Sequence, residues 1–158
     1  MILIKYSFIV FITFILQSWT SEFFSLGTID PDFCVIVLLY IAIMDGRLIG
    51  IVSGFFIGLI IDLASGSNQF FGLTPLIYTT TGYLSGFLKG ENVRLSKLYF
   101  TLIWIFIILI QFLLFTLIVY QDLLVQDPVS FFSKWLATSM YTLTFLGILQ
   151  IMAPLYKL

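Results

Sequence analysis

The chain has 158 residues, of which 61% are hydrophobic and 9% charged, with a net charge of −1 and a mean hydropathy of +1.15. A soluble domain is about half apolar and about a quarter charged, so this composition excludes an ordinary water-soluble fold and points to a polytopic membrane protein. One cysteine and no histidine exclude an internal disulfide, a Cys/His zinc site and a His-based triad, and the absence of a basic run leaves no nucleic-acid footprint.

Six apolar segments follow one another, at approximately 3–21, 31–45, 48–64, 70–88, 98–120 and 132–154. A crossing needs about 20 residues. Six crossings therefore use almost the whole chain and leave no room for a soluble domain, which needs about 50 residues or more. The expected fold is all-α and polytopic, one integral membrane domain over residues 1–158.

The first segment starts after Lys5 and stays apolar to about Trp19. It begins like a signal peptide, but Thr20-Ser21-Glu22-Phe23-Phe24 supplies no small-x-small cleavage site, so it is expected to remain as the first span. In the second segment Pro31 fits a first helical position and Asp30 or Asp32 the cap, while Asp45-Gly46 stops the helix. Its length, about 22 Å at about 1.5 Å per residue, falls short of a hydrocarbon core of about 30 Å. It is expected to end inside the membrane or to thin the bilayer locally. Cys34 sits among Phe33, Val35, Ile36 and Val37 and reads as a small buried hydrophobe.

The third segment carries Gly50, Gly54 and Gly58, followed by Asp62. Four-residue spacing places all four on one ridge of a helix. Such a ridge lets another backbone approach closely, which is the main attraction between helices in lipid. Two readings share it: packing within this chain, or a groove for a partner's helix. The pattern Gly50-x-x-x-Gly54 is a packing pattern, not a phosphate loop. Asp62 lies about 15 residues past Arg47, or about 22 Å along the helix, so it is expected near an interface. There it would be solvated or bonded to Ser65, Ser67 or Asn68. A proton-coupling role suffers from too few buried ionisable groups.

In the fourth segment Thr74 is expected as a cap and Pro75 as an early-turn or kink residue. Gly82 and Gly86 form a second small pair, placed to face the ridge. Gln17, Gln111 and Gln150 are further polar residues within spans, each expected to hydrogen-bond to a neighbouring helix. Trp19, Trp104 and Trp135 suit either interface belts or buried packing.

Charge placement orients the chain. With the N-terminus inside and six spans, Lys5, Arg47, Lys89, Arg94, Lys97 and Lys157 fall inside and only Lys134 outside. Glu22, Asp30, Asp32, Asp122 and Asp127 lie in the outer loops. This is a positive-inside pattern. No nucleophile has a base beside it, so no enzyme activity and no cofactor are expected.

Across the third and fourth segments, Gly54-Phe-Phe-Ile-Gly58-Leu-Ile-Ile-Asp62-Leu, Phe71-Gly72-Leu73-Thr74-Pro75-Leu76 and Gly82-Tyr83-Leu84-Ser85-Gly86 resemble the rod shape-determining MreD family. That family has a glycine-rich third helix ending in an acidic residue, a Gly-Leu opening the next helix, and a Gly-Tyr with a further glycine late in it. The motif-bearing match covers about residues 50–86. The resemblance implies a non-enzymatic scaffold subunit of the bacterial cell-wall elongation machinery in the inner (cytoplasmic) membrane, with both termini cytoplasmic. It implies MreC as direct partner and, through it, MreB, RodA and a class B penicillin-binding transpeptidase. It also implies a fold similar to the S component of energy-coupling-factor transporters, and it carries Asp62, Gly72 and Gly82 over as site positions. The interface residues expected are Gly50, Gly54, Gly58, Asp62, Gly72, Pro75, Gly82 and Gly86. The alternative is a vitamin-binding S component itself. Against it, the first segment has no Ala or Gly between Ile4 and Trp19, whereas S components dock through small residues there.

Overall fold

A computed structural model describes residues 29–65 and 71–157, together with Ile12, Thr13, Ile15, Gln17 and Phe24 of the N-terminal segment. Those five are helical. The rest of the expected first span, with Lys5 and Trp19, lies outside the described residues, as do Ser67 and Asn68.

Six α-helices follow: α1 (Phe33–Asp45), α2 (Arg47–Ser65), α3 (Leu73–Ser85), α4 (Lys97–Val119), α5 (Gln121–Gln126) and α6 (Pro128–Met152). Short 3-10 turns at Gly86–Leu88, Glu91–Val93 and Leu155–Lys157 finish the segments. Three helices, α2, α4 and α6, are long and apolar enough to cross a membrane. The other two apolar helices, α1 and α3, have 13 residues each.

Helix α1 is the centre of the bundle. The Asp32 carboxylate accepts a hydrogen bond from the Val35 N–H (3.0 Å) and caps its start. At the other end Gly46 has φ +92° and donates its N–H to the Ala42 carbonyl (2.8 Å). A left-handed residue there favours glycine, and α2 begins at once. Val35, Leu38, Leu39 and Ala42 are wholly buried. At about 20 Å, α1 is short for a span, and it tolerates that by lying inside the protein rather than against lipid. Cys34 is buried with them.

The two longest helices show the reverse arrangement. In α4, Phe100, Trp104, Ile107, Ile108, Gln111, Phe112 and Thr116 form one buried stripe, at the three- and four-residue spacing of a single helix face. The opposite face presents Leu102 (60% exposed) and Phe106 (63%). α6 likewise exposes Phe132, Met140, Ile148 and Ile151. Apolar outer faces on long helices are what a bilayer, not water, accommodates. Trp104 is thus a core residue, and Trp135 donates its indole N–H to the Leu109 carbonyl (3.1 Å).

Three boundaries differ from the sequence reading: Pro31, expected at a first helical position, lies before the Asp32 cap and outside α1. The loop expected at Gln121–Ser130 contains α5, and α6 starts at Pro128. Asp127 accepts from the Val129 and Ser130 N–H groups (3.2 and 3.3 Å), and Pro128 takes the first turn, where its missing N–H costs nothing. The start is set by the Asp127 cap and Pro128 at the first position, local signals that an apolar-segment reading does not weigh. The fourth apolar segment, expected to run to 88, leaves α-geometry after Ser85 and closes in the Gly86–Leu88 turn.

The cations gather at one end. Lys89 Nζ donates to the Asp45 carbonyl (2.9 Å), the Arg47 guanidinium lies 4.0 Å from the Phe87 ring centre, and Asn92 donates to the Tyr156 carbonyl (3.3 Å). Asp30, Asp32, Asp62 and Asp127 lie at the other end, with Lys134.

Candidate functional site: the glycine seam and its acidic end

Helices α2 and α3 pack antiparallel along a seam with no room for side chains. A Cβ on Gly50 falls 2.4 Å from the Gly82 carbonyl oxygen, one on Gly54 falls 2.4 Å from that of Tyr78, and one on Gly58 falls 2.4 Å from Pro75 Cα. From the α3 side, a Cβ on Gly82 falls 2.1 Å from the Gly50 carbonyl oxygen and one on Gly86 falls 2.5 Å from Arg47 Cα. Real Cβ atoms do not approach backbone so closely. Six of the eight expected interface residues, Gly50, Gly54, Gly58, Pro75, Gly82 and Gly86, therefore meet in one seam. The ridge is covered by α3 of the same chain, the first of the two readings of these glycines. Its physical reason is that the two small faces fit each other along their full length.

Asp62 and Gly72, the other two, meet at the end of the seam. The Gly72 N–H donates to Asp62 Oδ2 (2.6 Å). Gly72 has φ +94° and is the residue that precedes α3. Asp62 thus fixes the chain's return from α2 into α3. Its partner is this backbone amide. Ser65 instead donates to the Ile61 carbonyl (2.8 Å). Thr74 was expected as the cap, but it lies buried in the first turn and makes no cap bond. Pro75 also falls in the first turn, facing Gly58, where its missing N–H is harmless.

Beside this clamp is a polar contact that sequence spacing gave no sign of. The Tyr78 hydroxyl donates to Asp32 Oδ2 across 46 residues. The N-terminal segment joins it: Gln17 Nε2 donates to the Pro31 carbonyl (2.9 Å), and Gln17 Oε1 accepts from the Phe33 N–H (2.8 Å). The Asp32 N–H donates to Thr142 Oγ1 of α6 (3.2 Å). Elements from four parts of the chain so converge on Asp32. Sequence reading saw it only as one of two candidate caps.

The three span glutamines differ. Gln17 bonds across elements as expected. Gln150 Oε1 accepts from the Leu155 N–H (3.0 Å), within its own C-terminal turn rather than from another helix. Gln111 is 3% exposed, and its amide oxygen has no partner among the described residues. That corrects the expectation of a helix-to-helix bond at Gln111, whose amide oxygen is sealed within the bundle without a donor.

At the same end, Ser130 Oγ and two backbone amides hydrogen-bond to the exposed Asp127 carboxylate. The Ser130 hydroxyl first, then the Ser130 N–H, hold its pKa below the ordinary 3.8.

An all-helical bundle with apolar outer faces, a centrally buried short helix and a glycine-closed helix pair defines a helical membrane protein. The family model for rod shape-determining protein MreD matches residues 1–158, so the chain belongs to the MreD family and has a role in rod shape determination. Comparison with curated proteins found no match, and comparison with solved structures found none.

Proposed function

We propose that this chain is a non-enzymatic scaffold subunit of the bacterial cell-wall elongation complex, a single integral domain of six spans in the inner membrane that binds MreC. Through MreC it serves MreB filaments, RodA and a class B penicillin-binding transpeptidase. The observation that carries the reading is the family match over the whole chain. The rigid α2–α3 seam supports it: a partner-binding surface is precise only when the elements beneath it cannot shift. In this reading Gly50, Gly54, Gly58, Pro75, Gly82 and Gly86 hold the scaffold's shape, Asp62 and Gly72 fix its acidic end, and the partner meets an outer face.

Both termini are assigned to the cytoplasm. Arg47, Lys89, Arg94, Lys97 and Lys157 mark that side by the positive-inside rule. They lie at the helix ends that meet at the basic pole of the bundle.

The test is a mild-detergent pull-down of the tagged chain from native membranes, with mass spectrometry. Recovery of a single-span MreC-like protein or a wall synthase supports the scaffold. Recovery of ABC-type ATPases with a coupling subunit instead makes the chain a transporter S component. Depletion in a rod-shaped host is expected to round the cells; unchanged shape counts against the proposal.

A further inference from the structure

The outer side of the α2–α3 pair ends in two cations at the basic pole. Helix α2 begins at Arg47, and the seam brings the end of α3 against it: a Cβ on Gly86 would fall 2.5 Å from Arg47 Cα. The Arg47 guanidinium lies over the Phe87 ring, 4.0 Å from its centre. Lys89 reaches across the corner between α1 and α2. Its Cδ lies 3.0 Å from where a Cβ on Gly46 would stand, and its ammonium donates to the Asp45 carbonyl (2.9 Å). Both cations are exposed. Among the described residues the only ion pair joins Arg94 to Glu91, so neither is held by a described carboxylate. With Asp45 counted in full, two cations against one carboxylate leave this corner a net +1.

Most of their donors remain unspent. A guanidinium carries five N–H groups in a fork that matches a phosphate, and an ammonium carries three. The contact with Phe87 holds the guanidinium through the ring face rather than through an N–H, and Lys89 spends one donor on Asp45. Arg47 is also the first residue of a span, which sets it at the membrane surface. Below it the surface is apolar. Phe87 and Tyr83 pack edge to face with ring centres 4.9 Å apart, and both are exposed, as is Leu76 nearer the start of α3. On α2, Phe55 is exposed on the same ridge as Arg47, about 12 Å further along. The helices are antiparallel and Arg47 sits on Phe87, so these two ridges run side by side down the outer face. Cations at the surface end of an exposed apolar strip match the polarity of an anionic phospholipid, charged at its head and apolar below, and basic sites between spans attract such headgroups. A soluble anion would make no use of the strip.

We propose that the outer face of the α2–α3 pair seats one anionic phospholipid, its phosphate held between Arg47 and Lys89 and an acyl chain lying along Phe87, Tyr83 and Leu76. The guanidinium fork and the free ammonium protons supply the phosphate's hydrogen bonds, and the net positive corner disfavours a headgroup that carries its own ammonium. The binding depends neither on MreC nor on which side of the membrane the basic pole occupies.

The test uses the full-length purified chain. Native mass spectrometry follows incubation with equimolar phosphatidylglycerol and phosphatidylethanolamine of matched acyl chains. Phosphatidylglycerol is expected to be retained about tenfold over phosphatidylethanolamine, the scale of one charge-assisted hydrogen bond. Arg47→Gln and Lys89→Gln should each bring the two lipids near parity, whereas Lys97→Gln, at the exposed start of α4, should leave the preference as it is. A second readout places the lipid without touching either cation. Tyr83→Trp is studied in nanodiscs of both lipids in equal amounts, with bromine on the acyl chains of one lipid at a time. The fluorescence added by the new tryptophan should be quenched more by brominated phosphatidylglycerol than by brominated phosphatidylethanolamine. The proposal is overturned if the two lipids are retained equally, if Lys97→Gln lowers the preference as much as Arg47→Gln does, or if both brominated lipids quench the new tryptophan alike.

Discussion

The glycine seam and the acidic cavity share helix α2, yet they are built in opposite ways. Along Gly50, Gly54 and Gly58 the backbones of α2 and α3 touch, and the space beyond each hydrogen is filled by carbonyls and Pro75. One helical turn past Gly58 the same ridge reaches Asp62, and the packing opens into a cavity of about 550 Å3 whose mixed lining includes Asp30, Asp32 and Lys134. The seam gains van der Waals contact from small residues alone, which is how helices associate in lipid. The cavity end is held by polar contacts instead, Tyr78 to Asp32 and the Gly72 N–H to Asp62, and each buried polar group there carries a desolvation cost. A single ridge thus passes from a rigid support to an open polar cavity.

Substitutions sharpen this contrast. The largest effect is expected at Gly54→Leu. The first added carbon already collides with Tyr78 backbone, which cannot move without displacing α3. Overpacking of this kind costs about 3 kcal/mol or more. Loss of monodisperse protein in detergent, or a steeply lowered melting temperature, is the expected readout. A Gly54→Leu protein that melts like the parent would break the seam model.

Asp62→Ala comes next. It removes the acceptor for the Gly72 N–H and is expected to cost about 1–3 kcal/mol. The loss should appear as faster amide exchange at Gly72 and Leu73, with the seam glycines still protected. Equal loosening along the whole of α2 would mean that clamp and seam are one unit.

Gly147→Ala is the control. Gly147 lies inside α6, and nothing lies within 4 Å of its added Cβ. Helix propensity then predicts a gain of about 0.5–1 kcal/mol. A destabilised Gly147→Ala would show that glycine matters here for reasons other than contact.

The smallest effect concerns pH. Asp127 titrates below its ordinary 3.8 because Ser130 donates to the charged carboxylate. A depressed pKa contributes stability that is fully present above the unfolded value and is lost as pH falls through the lower folded value. Amide protection in the first turn of α6 should therefore fade only below 3.8, and Asp127→Asn should make it independent of pH in that range. The readout is exchange at Val129 and Ser130.

Much of the seam could be read from the chain. Four-residue spacing of Gly50, Gly54 and Gly58, and of Gly82 and Gly86, is local information, and a helix converts it directly into a face. The same holds for the short α1, bounded by Asp32 and by Asp45-Gly46, and for the placement of Pro75 in the first turn of α3. What spacing left open was whether the ridge met its own chain or another. The cavity was far less legible. Gln111 stood out as a polar residue in an apolar run, but whether its amide oxygen meets a donor depends on helices distant in the chain. The Asp32–Tyr78 contact spans 46 residues, and no local pattern links them.

Sequence by itself determined the solvent, since an apolar content of 61% with 9% charge leaves few other environments. It also determined the helical segments, the small-residue faces and the sorting of charge between two ends, all of which arise from nearest neighbours and helical repeat. Tertiary structure alone decided that α3 covers the glycine ridge, that Asp62 meets Gly72, and that Asp32 meets Tyr78. These depend on how the helices are arranged about α1, and that arrangement arises from contacts between residues far apart in the chain.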